Sequence, residues 1–161
     1  ITELFIRLGF FWKTLIIYSI LLFMVSFYSF GFKINPGYRK KGLVLLPLVM
    51  LLSIGLGFLA NNLFSFEKYS WIIFLIPLIS YSEEVLFRGL IQNSINKTYG
   101  AAMSIISTAL LYAIFSLSYG LSFAVFIISI AFIISLVYHF TKNIYLAITM
   151  NVILHVFLFV L

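Results

Sequence analysis

Few groups in this chain can move a proton or hold a charge within an apolar stretch, and most of them sit together. They are Ser80, Glu83, Glu84, Arg88 and Gln92 in the run Ser80-Tyr81-Ser82-Glu83-Glu84-Val85-Leu86-Phe87-Arg88-Gly89-Leu90-Ile91-Gln92, which has apolar residues on both sides and Pro77 just before it. Glu84 and Arg88 are four positions apart, so on a helix they share a face and can pair. Ser80, Glu84, Arg88 and Gln92 continue that spacing as a polar stripe, which must face protein or water rather than lipid. Glu83 lies about 140° from Arg88 around an ideal helix, so the same arginine cannot readily neutralise both carboxylates. Adjacent carboxylates in a low-dielectric setting repel, which favours one of them keeping its proton. A carboxyl poised in that way suits general acid or base chemistry. The structural alternative is a buried network in which Arg88 staples helices and Glu83 bonds to a neighbouring one.

The elements that carry these residues follow from composition. Of 161 residues, 64% are hydrophobic and 9% charged, with 19 Phe and 10 Tyr. A soluble domain built from this chain would need a surface that water rejects, so soluble domains, disordered tails and nucleic-acid binders are excluded. Six apolar runs are expected: Thr14–Phe32, about 42–66, about 69–95, Ala101–Ser118, Leu121–Tyr138 and Ile144–Leu161. Spans of about 20 residues make this an all-α, polytopic transmembrane bundle of about six visible spans. Residues 1–161 read as one domain, with its motif-bearing core at about 71–157. Thr14–Phe32 is too long for the apolar segment of a cleavable signal peptide. Lys33, Arg39, Lys40, Lys41, Lys97 and Lys142 outweigh Arg7, Lys13 and Lys68 on the other side. By the positive-inside rule the Arg39-Lys40-Lys41 loop is cytoplasmic, where it can rest on anionic lipid heads. Tyr69, Trp71, Tyr138 and Tyr145 are placed as interfacial aromatics, and His139 as an interfacial histidine. Gly100, Ser104 and Thr108 form a small-residue row suited to close helix contact.

Glu83-Glu84-Val85-Leu86-Phe87-Arg88-Gly89-Leu90 resembles the EExxxR signature of the CPBP family, the CAAX proteases and bacteriocin-processing enzymes also called Abi proteins. The family's later motifs, FxxxH and Hxxx(N/B), have counterparts in Phe115-Ser116-Leu117-Ser118-Tyr119 and in Asn151-Val152-Ile153-Leu154-His155. The resemblance implies an intramembrane endopeptidase of prokaryotic cytoplasmic membranes. A first-motif glutamate, Glu83 or Glu84, would activate water, Arg88 would orient the pair, and the later motifs would supply an acid/base partner and an oxyanion site.

Two positions depart from that pattern. Tyr119 stands where the second motif has histidine, and Asn151 stands where the third has histidine, with His155 in the place of its partner. Asn151 and His155 still share a helix face and both can donate, so an oxyanion site survives. Tyrosine, with a side-chain pKa near ~10, is a poor proton acceptor at neutral pH. The deficit falls on water activation, for which His155 turned inward is the available substitute. The candidate site is therefore Glu83, Glu84, Arg88, Tyr119, Asn151 and His155. The alternative is a catalytically impaired relative that binds a membrane or secreted partner, or confers bacteriocin immunity; a proton-coupled transporter is a third reading. No cofactor is expected. Glu83, Glu84 and His155 offer a divalent ion three ligands, but Arg88 beside them opposes a cation, and the chain has no Cys. The expected partners are the lipid bilayer and a peptide or protein substrate, or a membrane or secreted partner protein, and no nucleic acid.

Overall fold

The computed structural model describes residues 44–64 and 73–161, with no strand among them. The expected span at Thr14–Phe32, the Arg39-Lys40-Lys41 loop and the aromatics Tyr69 and Trp71 lie outside the described residues. Helix α1 spans Leu46–Leu63 and α2 spans Ile76–Glu84. Each has a proline, Pro47 or Pro77, in its first turn, where the missing N–H would have had no helical partner. Helix α2 runs on into a π-helix at Val85–Gln92. Then come α3 (Asn93–Phe115), a 3₁₀ turn (Ser116–Tyr119), α4 (Leu121–Thr141) and α5 (Ile144–Phe159).

The third and fourth expected spans are one helical run interrupted at Gly100, whose φ of 82° and ψ of 178° are open essentially only to glycine. Contacts on either side establish that the chain reverses there. The Tyr112 hydroxyl is 2.7 Å from Glu83, a residue 29 positions earlier. A straight helix would separate them by about 43 Å at ~1.5 Å per residue. Residues 76–99 therefore cross in one direction and 101–115 return. No described residue lies within 4 Å of a Cβ built on Gly100, so its conformation is what the turn uses, and not the small size that the sequence pattern suggested. Ser104 and Thr108 are both fully buried. Gly120 (φ 109°, ψ 156°) makes the next reversal. The third is capped by Asn143, whose side chain accepts from the Tyr145 N–H at 3.0 Å while its own N–H donates to Thr141 Oγ1 at 3.2 Å.

Helix α1 lies against α5, α2 also packs on α5, and α3 is held between α4 and the π-helix. The bundle is inside-out by the standards of a soluble protein. Val44, Leu48, Leu51, Phe74 and Phe140 face outward, whereas Arg88, Glu84, Gln92 and Asn143 are among the largest fully buried side chains. Water would reverse that arrangement; hydrocarbon stabilises it, because polar groups in lipid must find partners inside the protein. By length and composition, Leu46–Leu63, Ile76–Phe115 and Leu121–Thr141 are able to cross a membrane, and Ile144–Phe159 is a shorter apolar helix.

The α1–α5 contact depends on one small residue. A Cβ on Gly57 would come within 2.7 Å of Phe157 Cγ and 2.8 Å of its Cβ, the root of a ring with no slack, whereas a Cβ on Gly55 meets no described residue within 4 Å. Gly57→Ala is expected to lower stability by about 1–3 kcal/mol through overpacking. Gly55→Ala should be neutral or should stabilise by up to ~1 kcal/mol through helix propensity. Thermal unfolding of both variants in detergent checks the contrast; equal midpoints would contradict the packing.

Candidate active site

Helix α2 ends on two carboxylates that turn to different sides of the bundle. Glu83 faces α3 and α5. Its Oε2 accepts from the Tyr112 hydroxyl at 2.7 Å and from Asn151 Nδ2 at 2.8 Å. Tyr112 is also 3.4 Å from Asn151 Oδ1, a weaker contact because its one hydroxyl proton is directed at the carboxylate. His155 Nε2 stands 3.8 Å from the same Glu83 oxygen, and its Nδ1 is 3.0 Å from Ser80 Oγ. The hydroxyl of Ser80 can donate to Nδ1 or accept from it, so either imidazole tautomer is satisfied on that side. Asn151 and His155 lie one turn apart on α5, as Ser80 and Glu83 nearly do on α2, and the two helices meet antiparallel.

Glu84 faces α4. Its Oε2 lies 3.2 Å from Arg88 Nε, an ion pair with no exposed surface on either side chain. The pair lacks the alignment of a hydrogen bond, since neither atom has an aligned partner. Arg88 Nη2 donates to the Ala131 carbonyl at 3.2 Å, and Gln92 Nε2 donates to the Ser135 carbonyl at 3.0 Å. These two contacts advance together along both elements, so the π-helix and α4 run parallel. Each carbonyl uses a lone pair that its own helical bond leaves over.

The expected polar stripe divides between Ser80 and Glu84. Ser80 meets His155 on α5, whereas Glu84 pairs with Arg88, and Arg88 and Gln92, within the π-helix, reach carbonyls of α4. Tyr112 joins the two halves. Its hydroxyl serves Glu83, and its ring lies under the Arg88 guanidinium, 5.1 Å from ring centroid to carbon.

The structure therefore gathers Glu83, Asn151 and His155 around one oxygen and puts Glu84 and Arg88 in a separate pair behind them. Tyr119 stands at the rim, 39% exposed. Its ring packs on Phe123 and Phe159 at 5.6 and 6.1 Å, and Phe159 in turn lies 5.7 Å from the His155 ring. The α3 residue that hydrogen-bonds Glu83 is Tyr112, which sequence reasoning passed over. Its only signal was a hydroxyl one turn beyond Thr108 in an apolar helix, and tyrosines are common in this chain. Ser80 had been read as part of the Arg88 stripe. His139, at the end of α4, has its Nδ1 3.4 Å from Lys142 Nζ, away from the site. Tyr138, expected as an interfacial aromatic, is buried and accepts a hydrogen bond from Asn93 Nδ2 at 2.7 Å.

Access differs between the two halves. The Glu83 and His155 side chains retain 8% and 15% exposure, and Glu84 and Arg88 retain none. Among the described residues, the first pair is the one with surface open to a substrate. Among the described residues no three of His, Cys, Asp and Glu gather as a metal site; Glu84, turned to Arg88, does not join Glu83 and His155. What the geometry can do is hold a carboxylate beside an imidazole, with an amide and a phenol donor converging on the same place.

A protein-family model described as Type II CAAX prenyl endopeptidase Rce1-like matches residues 64–157, more than half of the chain and all of the site. No curated protein matches, and no solved structure matches.

The buried ion pair makes a testable demand. Glu84→Gln or Arg88→Met alone leaves a buried charge without its counter-charge and is expected to cost about 3–5 kcal/mol. The double variant should recover much of that loss, because both charges leave together. A double-mutant cycle on unfolding in detergent measures it, and strictly additive losses would show that the two groups do not depend on each other.

Proposed function

The chain belongs to the Type II CAAX prenyl endopeptidase Rce1-like family, and on that premise we propose that it is an intramembrane endopeptidase in which Glu83 activates water. The membrane-spanning helices and the family together make it an integral membrane protein. The observation that carries the mechanistic reading is the placement of His155 Nε2 3.8 Å from Glu83 Oε2 in the part of the site that retains exposure. In this reading a water held between the carboxylate and the imidazole loses its proton to Glu83 as it adds to the scissile carbonyl carbon. The proton then passes to the departing amine, by way of His155 or directly. Tyr112 and Asn151 keep Glu83 from swinging toward Arg88, and the second Nδ2 proton of Asn151 is the donor left for the developing oxyanion. Ser80 holds the imidazole plane. Glu84 and Arg88 act behind the site as structural supports and take no part in proton transfer.

His155 is the residue that compensates for Tyr119 and Asn151. It approaches Glu83 from α5, where the family pattern led us to expect an acid/base partner from the segment ending at Tyr119. The substrate class that fits is a peptide presented at the membrane surface, as the family description implies for a prenylated chain end. The proposed setting is a prokaryotic cytoplasmic membrane with the Arg39-Lys40-Lys41 loop on the cytoplasmic side. Water activation by Glu83 needs no metal or other cofactor.

A second reading has one observation in its favour. Glu83 Oε2 is already engaged by two donors, Tyr112 and Asn151, which is how a structural carboxylate is held. A relative that captures a membrane or secreted partner without cutting it, as an immunity protein would, has use for such a site.

The two readings separate on one set of variants. With purified protein in liposomes and a farnesylated peptide beside its unmodified counterpart, Glu83→Gln should abolish cleavage. His155→Ala should reduce it by about 10²–10⁴-fold, the usual worth of an acid/base partner. Glu84→Gln should lose rate only in proportion to lost folded protein. Cleavage that persists in Glu83→Gln would overturn the enzymatic mechanism, and peptide capture that survives Glu83→Gln without any cleavage by the unaltered chain would establish the binding reading.

A further inference from the structure

Behind the candidate active site the bundle buries a second polar group, and contacts among the described residues do not complete it. On the seam between the π-helix, α3 and α4, Glu84, Arg88, Gln92, Thr108 and Ser135 are each at most 2% exposed. Among the described residues, Glu84 Oε1 and Oε2, Arg88 Nε and Nη1, Gln92 Oε1, Thr108 Oγ1 and Ser135 Oγ have no aligned hydrogen-bond partner. The bonds that are made fix where the seam runs. Arg88 and Gln92 reach the carbonyls of Ala131 and Ser135, and Thr108 lies one turn before Tyr112, whose ring centroid is 5.1 Å from the guanidinium carbon. Buried polar atoms without partners are rare in folded proteins, and a cluster of them calls for something to satisfy it.

We propose that this seam is a binding site for a small cluster of ordered water molecules that bridge Glu84, Arg88 and Gln92 to the hydroxyls of Thr108 and Ser135. The chemistry of the unmet atoms selects the ligand. The carboxylate and the guanidinium cancel, so no net charge draws an ion in. A cation able to satisfy the Glu84 and Gln92 oxygens would be repelled by Arg88, and an anion able to satisfy Arg88 would be repelled by Glu84. The unmet set mixes two guanidinium donors, three acceptors and two hydroxyls that serve either way. Water both donates and accepts, is neutral, and is small enough for a seam between packed helices. Buried waters make about three hydrogen bonds each, so seven atoms call for about two or three molecules. These waters complete the hydrogen bonding of an ion pair whose direct contact is 3.2 Å long and poorly aligned. The site is separate from the water consumed in hydrolysis, and it stands whether or not the protein cuts peptides.

The test is a structure of the full chain crystallised from a lipidic mesophase at a resolution that resolves water, together with the Thr108→Val/Ser135→Ala double variant. Crystals grown with rubidium and bromide in place of lighter ions complete the set. The expected result is two or three density peaks within ordinary hydrogen-bond distance of Arg88 Nη1, Glu84 Oε1 and Gln92 Oε1, without anomalous signal, and the loss of at least one peak in the variant. A dry seam in which Glu84 and Arg88 close into direct, two-point contact would overturn the proposal. So would an anomalous peak from rubidium or bromide. If the variant does not fold, the density of the unaltered chain decides alone.

Discussion

Glu83 and Glu84 are neighbours in the chain and both are buried. Two like charges at that spacing in an apolar bundle are tolerable only when each is matched by its own partners. Much of the surrounding structure can be understood from this constraint. Glu84 turns toward Arg88 and the carbonyl edge of α4, where its ion pair is fully enclosed. Glu83 turns the other way, to Tyr112 on α3 and Asn151 on α5. To serve both, α3 has to fold back beside the π-helix and α5 has to run antiparallel to α2. The Gly100 reversal and the Asn143-capped turn make those returns. Tyr112 touches both halves, so a change on one side of the divide is felt on the other.

The division also separates support from chemistry. The enclosed pair cannot meet a substrate, whereas Glu83 and His155 keep a narrow exposed surface. Ser80 fixes the imidazole, and the aromatic wall of Phe159, Tyr119 and Phe123 continues outward from it. The proposed reading requires one carboxylate to stay reachable by water while the rest of the polar interior stays closed. Adjacent glutamates that point in opposite directions provide both conditions from one helix end.

The charged stretch of the third span marked the candidate site in the sequence, because carboxylates and a guanidinium inside an apolar run are costly and therefore informative. The four-residue spacings from Glu84 to Arg88 and from Asn151 to His155 both appear in the structure as shared helix faces. Other features could not be read in this way. Tyr112 looked like any aromatic in a chain with 10 Tyr and 19 Phe, and only the fold shows that its hydroxyl meets Glu83. Ser80 fitted an α-helical stripe with Glu84 and Arg88, and only the fold shows that its hydroxyl meets His155 on α5. Gly100 fitted a small-residue packing row, and its left-handed backbone, which sequence spacing does not encode, makes it the turn. Spacing showed which residues share a helix face, and the packing of neighbouring helices decided which partner each of them meets.

The central claim is that Glu83 activates a water for direct attack on a peptide bond, and oxygen-isotope tracing addresses it most directly. A single turnover of the purified protein on a farnesylated peptide in ¹⁸O-water would be followed by mass spectrometry of both the product and the Glu83-containing segment. Direct attack predicts one ¹⁸O in the new C-terminal carboxylate of the product and none in Glu83. Label retained in the Glu83 carboxylate would mean that the side chain itself attacks and forms an acyl intermediate, and the absence of any cleaved product would contradict the enzymatic account altogether.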